Sequence, residues 1–414
     1  MTAPASRRFL QAGLSMVELM VAMVIALIGT IIMFQVFEVS EGIKRSTSSG
    51  GDSQQNGVVA LYVMENDLRQ AGMGFSDTGF AGCNILAYDA LRTPQNFTLQ
   101  LVPVSITSGG AVQTPDRFTI FYGSQHMVGG ATSLSQNMVT PTTQLRVLNR
   151  FGFRAGDLLV LMEPSSGKNC SMMEVTSLPG GDFIAHDTGT YTLDWMGGTP
   201  PSKTVRANPG GGLGVIYTGA GSANATRIFN LGNLYDRNGN YAYNGASMPV
   251  YNTYAVAMAT TTLTVSSAFN PNQAGAVSAV ADNIVHMRAL YALDDGVSDA
   301  SVPYQTGAVV AGDGKIDRFV DAAKFAAAGS PWQRIVAVRV VVVARSAQPE
   351  RGSGGPGSVC DTTVAAPTWS ASSWPVGLAL MTSLDLSADA DWRCYRYKTF
   401  ETTVPVRNWI WKSS

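Results

Sequence analysis

Side chains able to act as nucleophile, base or ligand are few and scattered. The three histidines, His126, His186 and His286, lie far apart, and no G-x-S-x-G nucleophile elbow accompanies them. Each therefore reads as a surface or hydrogen-bonded strand residue. Gly352, Gly354 and Gly357 form a G-x-G-x-x-G, but Pro356 lies inside it and no helix pattern follows. A dinucleotide loop needs the strand–turn–helix context, so this segment reads as a flexible loop. Asp313 and Asp317, in DGKID, have Asp294, Asp295 and Asp299 close by in sequence. Such an oxygen-rich turn makes calcium a candidate ligand, although the EF-hand spacing is missing and ordinary hairpin turns use the same residues. No enzymatic activity and no other cofactor is expected.

The four cysteines, Cys83, Cys170, Cys360 and Cys394, contain no C-x-x-C pair and no Cys/His cluster. Two disulfides formed in an oxidising compartment explain them better than zinc does. Three connectivities are open; Cys83–Cys170 with Cys360–Cys394 is favoured because each bridge then stays within one half of the chain. Charged residues are 14% and the net charge is −1, which gives no nucleic-acid footprint. Gly is abundant, with 43 residues, and long Glu/Lys/Leu-rich stretches are missing, a composition suited to short strands and turns.

The elements that must position these residues begin at the amino terminus. Arg7 and Arg8 are the only charges in a short leader, and Leu19–Phe37 contains none. Nineteen helical residues span about 28 Å, close to the hydrocarbon thickness of a bilayer. Arginines beside its start place the amino terminus in the cytoplasm and the remainder outside it. Small residues Ala12 and Gly13 precede the apolar span, whereas a secretory signal would carry its cleavage site after it. Glu18 stands near the helix start, where a buried carboxylate is costly without a partner. A simple anchor with Glu18 at headgroup level is the plainer alternative.

Gly13-Leu14-Ser15-Met16-Val17-Glu18 resembles the class III signal of type IV pilins and type II secretion pseudopilins. The resemblance implies cleavage between Gly13 and Leu14 by a prepilin peptidase and N-methylation of Leu14. Leucine replaces the family's usual phenylalanine at that first mature position. Glu18 would pair with the amine of Leu14 on a neighbouring subunit, since burying two opposite charges together costs less than burying either alone.

After the span, the Gly- and Ser-rich stretch 42–57 should weaken or interrupt the helix. An amphipathic pattern resumes at Val58, Leu61, Tyr62, Met64, Leu68 and Ala71, and should stop near Gly72 or Gly74. Strands are expected at Asp116–Tyr122, Asp157–Met162, Met172–Thr176, Phe183–His186, Gly214–Tyr217, Asn283–Leu293, Ile335–Ala344 and Tyr395–Val404. Trp369, Trp374, Trp392, Trp409 and Trp411 are as suited to a partner surface as to a core, with the Trp409–Trp411 tail the better interface candidate.

Val280–Tyr291, Gly312–Val320, Trp332–Arg345 and above all YRYKTFETTVPVRN (Tyr395–Asn408) are similar to the PilW family of minor pilins. The fold expected is α+β and pilin-like. It comprises a leader (1–13), the transmembrane assembly half of a helix (14–39), a polar connection with the amphipathic half (40–74), and a β-rich head (75–414). Two lobes meeting near residues 200–210 are considered for the head. The resemblance implies a minor pilin that primes pilus assembly in a tip complex with other minor pilins, the major pilin and a tip adhesin. It would sit in the inner membrane of a Gram-negative bacterium before joining an extracellular pilus. The alternatives are a minor pseudopilin of type II secretion and a membrane-anchored periplasmic binding protein.

Overall fold

The computed structural model describes residues 15–75, 78–124, 131–164, 166–193, 200–219, 221, 225–236, 239–241, 248–270, 277–297, 310–350, 352, 358–368 and 384–410. The chain divides into two compact units, Met1–Asp52 and Ser53–Ser414. One helix, α1 (Met16–Gln70), runs unbroken through the Gly- and Ser-rich stretch expected to weaken or interrupt it. Adjacent Gly50 and Gly51 cost a helix about 2 kcal/mol relative to alanine. Ending the helix and nucleating another costs about 4 kcal/mol, from a nucleation parameter of about 10⁻³, so the helix continues. Its apolar side chains from Met16 to Val39 are exposed, and by length and composition this part is able to cross a membrane. The helix stops where expected: Gly72 takes φ 80° and its N–H donates to the Phe121 carbonyl (2.9 Å) instead of continuing the ladder.

The rest is β-rich, which makes the chain α+β. The first sheet has the order β2-β1-β8-β7-β12-β5. It contains β1 (Asn84–Tyr88), β2 (Asn96–Gln100), β5 (Ala131–Ser133), β7 (Asp157–Met162), β8 (Cys170–Glu174) and β12 (Arg227–Asn233). The second, β15-β14-β13-β4-β3, contains β3 (Val104–Thr107), β4 (Arg117–Tyr122), β13 (Val250–Ala257), β14 (Thr262–Ser267) and β15 (Val277–Asp282). The third, β17-β16-β18-β19, contains β16 (Ile284–Leu293), β17 (Arg318–Val320), β18 (Ile335–Arg345) and β19 (Tyr397–Pro405). Two small ribbons pair β6 (Leu145–Arg146) with β9 (Phe183–Ile184), and β10 (Thr190–Thr192) with β11 (Ser202–Thr204). Asn283, at φ 58°, is the hinge by which β15 of the second sheet passes into β16 of the third. Asparagine tolerates that left-handed conformation better than most residues.

The strands that read most plainly in sequence are buried on both faces. Val338, Val340 and Val342 of β18 face the main core, while Val341 and Val343 face a smaller one with Leu290, Phe319 and Leu386. β7 is likewise shared between the main core and a third cluster around Leu159, Leu161, Val175 and Tyr217. Gly214–Tyr217, expected as a strand, is an irregular segment. It pairs with no strand ladder; the Tyr217 carbonyl accepts from Met138 N–H (3.0 Å), and its ring fills the third cluster.

Candidate functional site

The residues that tie the end of the first helix to the head form one extended constellation in the second unit. Gly57 lies in α1 beneath the ring of Phe400 from β19; a Cβ there would stand 2.1 Å from Phe400 Cε2. One turn earlier, Gln54 accepts from Lys398 Nζ (3.1 Å). Further along, Asp67 turns its carboxylate into the second sheet. It accepts from Tyr254 Oη (2.6 Å), Asn252 Nδ2 (3.1 Å) and Tyr122 Oη (3.1 Å). Burial, reinforced by the neighbouring Asp67 charge, pushes both tyrosine hydroxyls upward, so they remain protonated donors. Ala60, Met64, Leu68 and Ala71, spaced three or four apart, enter the main core on the same side.

The helix terminus is closed by a short helical turn, Arg407–Ile410. An α-helix leaves its final carbonyls without intrahelical partners. Asn408 Nδ2 meets those of Gln70 (3.2 Å) and Ala71 (3.3 Å), and lies 3.5 Å from that of Arg69. Trp409 packs edge-on against Phe75, with centroids 6.2 Å apart, and donates from Nε1 to the Trp332 carbonyl (2.9 Å). At 1% exposure Trp409 is core, which corrects its expected place in an interface. Position after the last strand carries no information on burial, and here the chain folds back over Phe75. Trp392 is half-buried on the smaller core; Trp369, Trp374 and Trp411 lie outside the described residues.

The other sequence candidates are dispersed. Gly13 and Leu14 lie outside the described residues. Glu18 stands in the first turn of α1, with the Ser15 N–H 3.4 Å from its Oε2. The structure joins Cys83 to Cys170 and Cys360 to Cys394, the connectivity within each half. His186 and His286 are buried, and one nitrogen of each meets a carbonyl, of Thr143 (2.9 Å) and Val112 (3.1 Å) respectively. Burial lowers both, His286 to about 4. His126 lies outside the described residues, as do Gly354 and Gly357.

Asp313 and Asp317 do come together, joined by Asp294, with one oxygen of each within 4.8 Å of the others. The carboxylates already have partners. Asp294 accepts from the N–H groups of Gly312 and of Gly314 (2.7 Å), Asp317 from Gly296 N–H (2.6 Å). Asp313 pairs with Lys315 (2.9 Å), which holds its carboxyl below the usual range. Asp295 is held by Arg318 (2.6 Å).

Residues 250–408 match the family model of the type IV pilus-assembly protein W, PilW. The chain carries a PilW region. That region begins at β13 and ends at Asn408, so it contains Asn252, Tyr254, Lys398, Phe400 and Asn408 of this clamp on the helix, whereas Tyr122 and Trp409 lie outside it. The FETTVPVRN stretch thereby acquires a physical meaning: its phenylalanine seats on Gly57 and its asparagine closes the helix. The match, over less than half of the chain, supports a type IV pilus-assembly-related protein, and with the apolar helix it fits a membrane-anchored one. Comparison with curated proteins and with solved structures gave no match.

Proposed function

We propose that this chain is a minor pilin, which primes a type IV pilus and joins other minor pilins, the major pilin and an adhesin in its tip complex. The observation that carries the reading is the clamp: a helix whose amino-terminal part is apolar and exposed is fastened to a β-rich head through residues of the PilW region. A templating subunit needs that rigidity, because helix register sets head position only if the two are joined without slack. In this reading residues 1–13 are removed by prepilin peptidase and Leu14 is methylated. Residues 14–39 pack among neighbouring helices from the inner membrane, 40–74 lead to the head, and 75–414 lie in the periplasm and then on the pilus.

Mass spectrometry of the mature amino terminus tests the processing: N-methyl-Leu14 is expected, and retention of residues 1–13 refutes it in favour of an anchored binding protein. Deletion should abolish pili; loss of protein secretion with pili intact would point to a pseudopilin. Glu18→Ala should leave membrane insertion unchanged and impair incorporation, and normal incorporation would remove the proposed role. A calcium ion at Asp294, Asp313 and Asp317 is a secondary proposal, favoured by their convergence. Millimolar calcium should then raise the melting temperature, and Asp313→Ala should abolish the rise.

A further inference from the structure

A single exposed apolar side chain is ordinary on a protein surface. Phe151 and Leu148 differ in being held out, at 81% and 62% exposure, by a loop fastened along its length. The Leu148 N–H donates to the Ser133 carbonyl of β5 (3.0 Å), and the Asn149 N–H to Thr132 Oγ1 (3.2 Å). Arg150 Nη1 donates to the carbonyls of Leu178 (2.8 Å) and Pro179 (2.5 Å). The Phe151 N–H donates to Asn149 Oδ1 (2.8 Å), and the Gly152 carbonyl accepts from buried Asn230 (3.0 Å). Val147 and Phe153, on either side, fill the third cluster. The flanking chain is basic. Arg146 of β6 shares the outer side with Leu148 and lies over the ring of Phe183 in β9, 5.7 Å from its centroid. Arg227 of β12 pairs in register with Ser133 and donates to its Oγ (2.8 Å). Arg154 follows the loop and is exposed. Segments 131–135, 144–157, 181–184 and 225–230 thus carry four arginines against Asp157 and Asp182, and Asp157 is buried.

We infer that this loop and the basic strands beside it form a docking surface for an anionic phospholipid bilayer. The choice of occupant follows from the chemistry of the two kinds of residue. Leu148 and Phe151 have no polar side-chain atom, so they gain only by leaving water, which the boundary between headgroups and acyl chains provides. Arginines around them meet the headgroup phosphates, each strengthening attachment to an anionic surface about fivefold. A soluble phosphate would use the arginines and leave Phe151 in water. A folded protein is the poorer fit, because two protruding apolar side chains bury far less than the roughly 1,200 Å² of a stable interface. A bilayer needs no matching shape.

Every residue of this surface lies outside residues 250–408, so it stands or falls apart from the minor-pilin reading. In the test, the full-length chain is held by its helix in a phosphatidylcholine nanodisc, mixed with vesicles and floated on a gradient. Co-flotation is expected with vesicles containing phosphatidylglycerol and not with vesicles of phosphatidylcholine alone. Phe151→Ser should weaken it about tenfold, and Arg146→Gln combined with Arg154→Gln about thirtyfold. Melting temperatures should stay unchanged, because all three side chains are exposed. Val364→Ser, at an exposed apolar residue elsewhere, should leave flotation as it was. Equal binding to neutral vesicles, or full binding by Phe151→Ser, overturns the inference. Release of the vesicles by millimolar inorganic phosphate does the same and assigns the arginines to a soluble anion. A benzophenone amino acid at position 151 that captures a protein in cells, with no co-flotation in vitro, would hand the surface to a protein partner.

Discussion

Replacing Asp67 by alanine should loosen the first helix from the head without unfolding the head. Three donors converge on its carboxylate, and two belong to tyrosines that are 1% (Tyr254) and 7% (Tyr122) exposed. Removing the acceptor leaves buried hydroxyls without a partner, at about 1–3 kcal/mol for each that water cannot reach. Tyr254 bears nearly all of that loss, since Tyr122 and Asn252 stand closer to solvent. Alanine returns roughly 0.5 kcal/mol through its higher helix propensity. The net cost is about 0.5–2.5 kcal/mol, equivalent to a fall of a few degrees in melting temperature for a unit of this size. Hydrogen exchange is the more informative assay, because protection should drop in residues 58–70 of α1 and persist in β16 and β18. Asp67→Asn, which keeps one acceptor oxygen, should fall between wild type and alanine, and Tyr254→Phe should remove most of the additional effect of Asp67→Ala. Unchanged exchange in the helix, or equal losses in helix and sheet, would refute this account of the clamp.

Gly57→Ala removes about 1 kcal/mol of helix penalty yet forces the Phe400 ring from its seat. It should destabilise despite the better propensity, and Gly57→Ala combined with Phe400→Ala should recover stability in a thermal melt. Asn408→Ala should cost about 1 kcal/mol, the usual worth of a hydrogen-bonding cap, and raise amide exchange mainly in the last turn of α1. Asp157 accepts from Asn230 (2.6 Å), Asn233 (2.9 Å) and the Arg154 N–H (2.8 Å), but burial pushes its carboxyl up to about 6. Its protonated form is thus favoured by folding. The corresponding stability is fully present below about pH 4 and is lost as pH rises through about 6, amounting to at most about 3 kcal/mol. Denaturant melts from pH 4 to 7.5 should show that slope, and Asp157→Asn should flatten it.

Much of the fold was legible because double-sided burial writes itself as unbroken apolar sequence. DLLVLM and IVAVRVVVVA are buried on both faces and could hardly be loops. Arg339, the one interruption in the latter, is accommodated by Glu401 (3.2 Å) and by the ring of Phe319. Several strands that escaped notice have an open face, although β12, whose apolar run is interrupted by Asn230 and Gly232, is buried. β13 and β14 mix Thr, Ser and Asn with apolar residues, and some of those polar groups pair across strands, as Thr119 does with Thr253 (2.8 Å). The clamp was illegible for a different reason: Gly57 meets Phe400, Asp67 meets Tyr254 and Gln70 meets Asn408, and no local pattern encodes contacts so distant in the chain. Gly57 itself gave no separate hint, because it stood at the end of the Gly- and Ser-rich stretch 42–57. The weakening or interruption expected over 42–57 does not break the helix, because local propensity was weighed without the cost of a second nucleation.

Asn408 and Phe400 also fix an order of events. The helix is synthesised before the residues that seat and close it, which lie in and after β19. Until β19 has paired with β18, the helix lacks Phe400, Lys398 and Asn408 as partners, however well the remainder has folded. A chain cut short before Phe400 could insert in a membrane and form much of its β structure, yet its head would hang from an unlatched helix. Seating of the helix thus waits on residues synthesised 338 to 344 positions after the ones they hold.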